Sequence, residues 1–306
     1  MSGAMFRRGL LAAALVLGLT GVVGAQQPAK LKGFASPDAA AAALAEAVRG
    51  TDLKAIAAMW GANWREFVPA RDDDIRRRRL AFLAAWNESH KTVMSGDSKA
   101  MIEVGKSGWT LPIPLVKDGS EWRFDIAAGF KEMVLRRIGH DEAAVVQTLL
   151  AIVDAQADYA ALDPMNTGAP AYARRLLSAP GRKDGLYWET KPGEKESPLG
   201  PAVAKAQADG QAPDGHYGYF FRLLYAQGSD ARGGARDYIV GGRMIGGFGV
   251  IAWPVRYGDT GVMTFIVNQD GVVYQQDLGP QTAQKAGAIV TFNPDKGWTK
   301  ADTTSP

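Results

Sequence analysis

Asp141–Asp163 reads DEAAVVQTLLAIVDAQADYAALD, and apolar residues recur in it at every third or fourth position. That spacing predicts a helix. Val146, Leu149, Leu150, Val153, Ala157 and Ala160 form one apolar stripe, which Val145, Ile152 and Tyr159 widen. A stripe this broad requires a sheet against it. Its burial contributes on the order of 10 kcal/mol gross, at ~1.5–3 kcal/mol per large side chain, before conformational entropy is subtracted.

The strands to cover it come later in the chain. HYGYFFRLLYAQG (His216–Gly228) is an aromatic-rich strand, and GFGVIAWPV (Gly247–Val255) is a second. VMTFIVNQDGVVYQQDLG (Val262–Gly279) is a hairpin that turns at Asp270-Gly271. Helix and strands predict a C-terminal α+β domain over residues 128–298, with a tail at 299–306. Between them, residues 163–213 are rich in Gly and Pro and contain GRKDGLYWETKPGEKESPLGP. A connection of that length is more often functional or ligand-covering than idle.

The N-terminal half reads as a separate domain, residues 34–127. In FASPDAAAAALAEAVRGTDLKAIAAMW, Ser36 caps a helix that begins with Pro37, and Gly50 stops it. Asp52 caps the next helix. The run RDDDIRRRR (Arg71–Arg79) sets Asp72, Asp73 and Asp74 four residues before Arg76, Arg77 and Arg78. That order stabilises a solvated helix face by ~0.2–0.5 kcal/mol per pair. GWTLPIPLVKDGSEWRFDI then alternates with period two through a turn at Asp118-Gly119. Pro112 and Pro114 cannot donate to a ladder, so an edge strand is expected there.

Ahead of both domains, MSGAMFRRGLLAAALVLGLTGVVGAQQ has a basic start, an apolar run and Val23-Gly24-Ala25 before Gln26. This is the pattern of a cleaved signal peptide over residues 1–25, followed by a polar tether at 26–33. The apolar run is shorter than the ~20 residues a membrane span needs. The expected location is periplasmic or secreted, with no membrane span after cleavage.

Composition narrows the function classes. The chain has 306 residues, 46% hydrophobic and 22% charged. That suits globular domains rather than disorder. Its 35 basic and 32 acidic side chains give a net charge of +3. This balance does not make a nucleic-acid footprint, although the isoelectric point is near 9.0. There is no Cys, so neither a disulfide nor a thiolate metal site can form. His90, His140 and His216 lack the spacing of a zinc site. GGRMIGGFG lacks the lysine of a phosphate loop and precedes a strand, so it reads as a bend or hairpin. No G-x-S-x-G elbow occurs. Asp154 with Asp158, and Asp270 with Asp277, are carboxylate pairs that fit a solvated surface better than a cation site. No cofactor or metal is implied.

RRIGHDEAAVVQTLLAIVDAQADYA, RKDGLYWE, ESPLGP, HYGYFFRLLYAQG, GGRMIGGFGVIAWP and GVMTFIVNQDGVVYQQDLG together resemble a bacterial family of exported proteins defined only as a domain of unknown function (2950). That resemblance covers about residues 34–298 and implies no activity, cofactor or catalytic residue. The helix at Ala143–Ala160, the Gly/Pro loop, the Gly218–Leu223 strand, Ala252–Pro254 and the Thr264–Tyr274 hairpin resemble the globular head of type IV pilins and pseudopilins. The charged EMVLRRIGHDE before the helix departs from the apolar stalk of a pilin, which implies a head carried on a soluble molecule. The helices and W-x-F-D strand of residues 34–127 resemble NTF2-like domains, most of which serve as binding or accessory modules in exported proteins.

The candidate binding residues are Tyr187, Trp188, His216, Tyr217 and Tyr219, which join flat apolar faces to polar tips and suit glycan stacking or protein contacts. Packing of the long loop onto the sheet is the simpler reading of the same residues. The expected role is a non-enzymatic accessory protein that binds an envelope protein or a cell-wall glycan. The alternative is a periplasmic hydrolase or lyase with a site in the N-terminal pocket or under the 163–213 loop.

Overall fold

The computed structural model describes residues 31–62, 64–67, 72–206 and 213–304. The expected signal peptide, most of the expected tether, the end of the long loop and the last two tail residues lie outside the described residues. So do the side chains of Asp72, Asp73 and Asp74, and with them the expected helix-face pairs. Helices and antiparallel sheets make an α+β architecture, and the contacts divide the chain into two compact units, Met1–Phe124 and Asp125–Pro306.

In the first unit, α1 (Pro37–Gly50) starts as expected: Ser36 accepts a hydrogen bond from the Ala39 N–H at 3.1 Å. Gly50 is its last residue, but Thr51 takes the left-handed conformation that ends it (φ 55°). Asp52 then caps α2 (Leu53–Trp60) through the N–H groups of Lys54 and Ala55. A 3-10 turn at Trp64–Phe67 and α3 (Asp72–Glu88) complete the helical part. The sheet holds β1 (His90–Met94), β2 (Lys99–Val104), β3 (Trp109–Thr110), β4 (Leu115–Asp118) and β5 (Glu121–Phe124) in the order β1-β2-β4-β5, with β3 also on β2.

The expected proline edge strand holds only in its first part, β3, which pairs with β2 alone among the described strands. The strand breaks between β3 and β4, and Pro112 and Pro114 sit in the break. β4 lies between β2 and β5, so it is not an edge. Residues without an N–H have been expelled from the ladder instead of being set on a rim. Leu111 still donates to the Ile102 carbonyl at 2.8 Å, which keeps the segment alongside β2. Leu111, Ile113, Leu115, Trp122 and Phe124 are all buried.

The second unit is built on α4 (Ile126–Leu162), whose 37 residues begin 15 positions before Asp141, the expected start. Asp125 caps it through the Ala128 N–H at 2.9 Å. The charged EMVLRRIGHDE segment is therefore helical too. The buried stripe is rotated from the expected one: Val145, Leu149, Ile152, Gln156 and Tyr159 are its centre, while Ala157 is exposed.

After α4 come α5 (Pro201–Lys205), β6 (Tyr219–Leu224), β7 (Ala226–Gln227), β8 (Arg236–Asp237), β9 (Ile239–Val240), β10 (Arg243–Met244), β11 (Gly249–Pro254), β12 (Met263–Asn268), β13 (Tyr274–Asp277), α6 (Thr282–Ala288) and β14 (Thr299–Lys300). The main sheet has the order β14-β13-β12-β11-β6. Strand alternation gives it two apolar faces. Tyr219, Phe221, Leu223, Val250, Ala252 and Phe265 join α4 in one core cluster. Leu224, Ile251, Trp253 and Ile266 join Ala286 of α6 and Phe292 in another. GGRMIGGFG is a bend and hairpin, as expected: Gly241 and Gly242 turn β9 into β10 with φ of 59° and 78°, values that glycine adopts freely.

Residues 163–206 are not a cover laid over a finished core. Ala173, Leu176, Leu186, Trp188, Leu199, Ala204 and Ala206 are buried in the same cluster as α4 and the sheet. Their segment is irregular in backbone and yet forms a wall of the core.

Candidate functional site

The site lies where two stretches of this wall run together. Tyr187 N–H donates to the Leu176 carbonyl at 2.9 Å, and Ser178 N–H donates to the Tyr187 carbonyl at 2.9 Å. Leu186 bonds to Arg175 by its N–H and receives Leu199 N–H on its own carbonyl at 3.1 Å. Gly185 is required beneath this junction. A Cβ there would lie 2.6 Å from the Ser178 nitrogen, closer than atoms can approach. Ser178 Oγ accepts from the Gly185 N–H, and Asp184 accepts from the Ala179 N–H, which closes the turn between the two segments.

Between residues 187–190 and 196–201 these bonds leave a cleft of about 700 Å³. Tyr187, Trp188, Glu189, Thr190, Glu196 and Ser197 supply its aromatic and polar lining. Trp188 is 8% exposed, and its indole N–H has no hydrogen-bond partner among the described residues. A buried donor left unpaired costs about 1–3 kcal/mol. Tyr159 meets the Trp188 ring edge-on with centroids 6.4 Å apart, and the Lys183 ammonium lies over that ring at 5.4 Å. Tyr159 Oη donates to the Lys183 carbonyl at 2.6 Å, which ties α4 to the cleft's flank. Burial, then the charges of Asp184 and Asp163, push the Tyr159 hydroxyl up to about 12.

The structure brings Tyr187 and Trp188 into the cleft, but His216, Tyr217 and Tyr219 do not line it. Tyr217 is exposed, holds a left-handed backbone (φ 51°), and packs its ring 4.4 Å from His216 and 6.4 Å from His140. His216 is half-buried, and burial moves its imidazole below the usual value. Tyr219, expected among the binding residues, is corrected: it is fully buried. Its hydroxyl donates toward the Met263 carbonyl (2.9 Å) and Glu142 (3.2 Å). Burial and the nearby Glu142 carboxylate hold that hydroxyl far above the ordinary tyrosine range. Glu142 Oε1 also accepts from the N–H groups of Val262 and Met263, at 2.8 and 2.9 Å. This group is a structural latch between α4 and β12.

Sequence reasoning missed Glu189, Glu196, Thr190 and Ser197. The signal was present in WET and ESPLGP, polar residues placed on either side of one Gly/Pro turn. For Glu142 no local signal existed, because its partners lie about 120 residues away. Asp154 and Asp158 are exposed. Asp277 accepts from the Gly279 N–H and the Tyr257 hydroxyl. Among the described residues, no group of three or more His, Asp or Glu converges as a metal site would require. No helix there is long and apolar enough to cross a membrane.

No curated protein and no solved structure matches the chain. Residues 31–301 match the family described as Protein of unknown function (DUF2950), and the chain belongs to that family.

Proposed function

We propose that the chain is an exported, non-enzymatic accessory protein that binds a cell-wall glycan or an envelope protein in the 187–201 cleft. The carrying observation is the cleft itself, where Tyr187 and Trp188 stand beside Glu189, Thr190, Glu196 and Ser197. Tyr187 adds an aromatic face, and Glu189, Glu196 and Ser197 add acceptors for hydroxyl or amine donors. The leader at residues 1–25 supports export, to the periplasm or beyond. The resemblance of residues 34–127 to NTF2-like modules and of 128–298 to pilin heads supports binding in preference to turnover.

A second reading, a hydrolase or lyase, draws on Glu189 and Glu196 lining one cleft. Glycosidic cleavage uses two carboxylates. One experiment separates the readings. The mature protein is sedimented with purified insoluble cell wall while released fragments are measured. Co-sedimentation without release, weakened in Tyr187→Ala, supports binding. Release abolished by Glu189→Gln or Glu196→Gln supports the enzyme. No co-sedimentation and no release would sink both for a wall polymer.

A further inference from the structure

The ladder bonds of β1 fall on alternate residues. Ser95 N–H donates to the Lys99 carbonyl and Gly105 N–H to the Ser89 carbonyl, both at 2.8 Å. These bonds continue the register that runs from His90↔Val104 to Met94↔Ala100. In an antiparallel pair every second residue makes both inter-strand bonds, so Lys91 and Val93 are the ones turned toward β2. The N–H and C=O groups of His90, Thr92 and Met94 therefore point away from it. Among the described residues no backbone bond reaches those groups. Two other sheet edges are closed: Phe34 exchanges two bonds with Trp122 along β5, and the Ala206 carbonyl accepts from the Phe221 N–H on β6. β1 also lacks the usual devices that keep an edge solitary. Its five residues run without proline or bulge. Lys91 is paired with Glu103, 2.9 Å away on its own sheet. Val93 and Met94 are 40% and 50% exposed.

We propose that β1 is an interface with a second copy of this chain, joined antiparallel about a two-fold axis at Thr92. Free N–H and C=O groups on an extended backbone recognise another extended strand. The sequence HKTVM favours its own copy. With Thr92 opposite Thr92, His90 falls opposite Met94 and Lys91 opposite Val93. The outward-pointing residues of each copy then meet those of the other, so every free group finds a partner. No like charges stand opposite one another. Met94 meets the His90 ring, which already stacks on Trp86 at 3.9 Å, and Val93 meets the methylene stem of Lys91. Such an isologous contact closes at two copies. The proposal does not draw on the cleft.

The full chain is sedimented at concentrations from about 1 μM to 1 mM, the range in which a small interface associates and dissociates. A reversible monomer–dimer equilibrium is expected. Thr92→Pro removes one outward N–H and no bond to β2, a position where an edge strand tolerates proline. It is expected to be monomeric, with its fold verified by circular dichroism and a urea midpoint. Val93→Lys sets an ammonium opposite Lys91 of the second copy, and is expected to weaken the dimer about tenfold at low salt and less at high salt. The chain has no cysteine, so a lone introduced thiol can bridge only to another copy. In Thr92→Cys the opposed Cα atoms lie about 5.5 Å apart, within disulfide reach, and oxidation is expected to cross-link the dimer. In Ser95→Cys they lie about 20 Å apart in this register, and no cross-link is expected. A chain that stays monomeric up to about 1 mM overturns the proposal, even if an extended peptide from another protein adds to β1. So does a dimer that survives in folded Thr92→Pro, or equal cross-linking of the two cysteine variants. If Thr92→Pro does not fold, Val93→Lys and the cysteine pair decide.

Discussion

Gln156 and Ala173 form a closed amide-to-backbone pair. Gln156 Nε2 donates to the Ala173 carbonyl at 3.0 Å, and its Oε1 accepts from the Ala173 N–H at 2.8 Å. The glutamine sits on the buried stripe of α4 and is fully enclosed. It gives the irregular 163–206 segment the two bonds that a neighbouring strand would otherwise supply. A polar residue at the centre of an apolar helix face is thus the anchor of the cleft-bearing wall.

Replacing it tests that role. Gln156→Leu keeps the bulk but strands two buried backbone groups, and is expected to cost about 2–4 kcal/mol. For a unit of this size that lowers the melting temperature by about 2–4 °C for each kcal/mol. Urea unfolding measures the loss. Limited proteolysis should show earlier cutting within residues 163–206. An unchanged midpoint would show that the pair does not hold the wall.

Tyr159 makes stability depend on alkaline pH. Its hydroxyl value is raised from 10.0 to about 12, chiefly by burial. A group raised in the folded state gives its full contribution below the unfolded value and loses it as pH climbs to the folded one. Stability is therefore expected to decline between pH 10 and about 12. Tyr159→Phe, which cannot ionise, should decline less steeply there, from a lower start because the bond to the Lys183 carbonyl is gone. Tyr238 is also raised to about 12, again by burial, so a residual slope is expected. Urea midpoints at a series of pH values test the difference, and equal slopes would refute it.

Arg222 closes the far face of the sheet. Its guanidinium donates to the carbonyls of Ala286, Gly287 and Ile289, at the end of α6, and lies 5.7 Å from the Trp253 ring. Lysine presents one point charge in place of a fork. Arg222→Lys is expected to lose about 1–2 kcal/mol and Arg222→Met more, because several helix-end carbonyls lose their donors. Hydrogen exchange should quicken in α6 before the rest of the sheet. Uniform exchange in both variants would count against this.

Gly185→Ala tests the cleft from below. The added methyl meets backbone 2.6 Å away, contact that flexible side chains cannot relieve. A cost of about 1–3 kcal/mol is expected, together with loss of ligand binding while far-ultraviolet circular dichroism stays near normal. Retained affinity would separate the cleft from the Ser178–Gly185 turn.

The larger elements were legible because their patterns are local. The α4 stripe and the apolar, aromatic-rich runs of β6, β11 and β12 all declare themselves within about ten residues. The first part of α4 did not, because Arg136, Arg137 and His140 break any apolar stripe there. The β1–β2 hairpin was also missed: the residues of β1 are mostly exposed and carry little alternation. Strand parity could have separated Tyr219 from the exposed rings, since Tyr219, Phe221 and Leu223 share a face. The 163–206 wall was misjudged for a physical reason. Its anchors Leu176, Leu186 and Leu199 fall at irregular spacing, and their backbone bonds run to residues well outside any local repeat. Periodicity carries no trace of such pairing.

The rooting of Leu186, Trp188 and Leu199 in the principal core also governs how occupancy can be detected. A molecule seated between them is thermodynamically linked to melting of the whole C-terminal unit, and saturation at about a hundred times the dissociation constant would add about 2.7 kcal/mol. A dye-monitored heating screen of amines, sugars and peptides can thus rank candidates before any assay for their biological role exists.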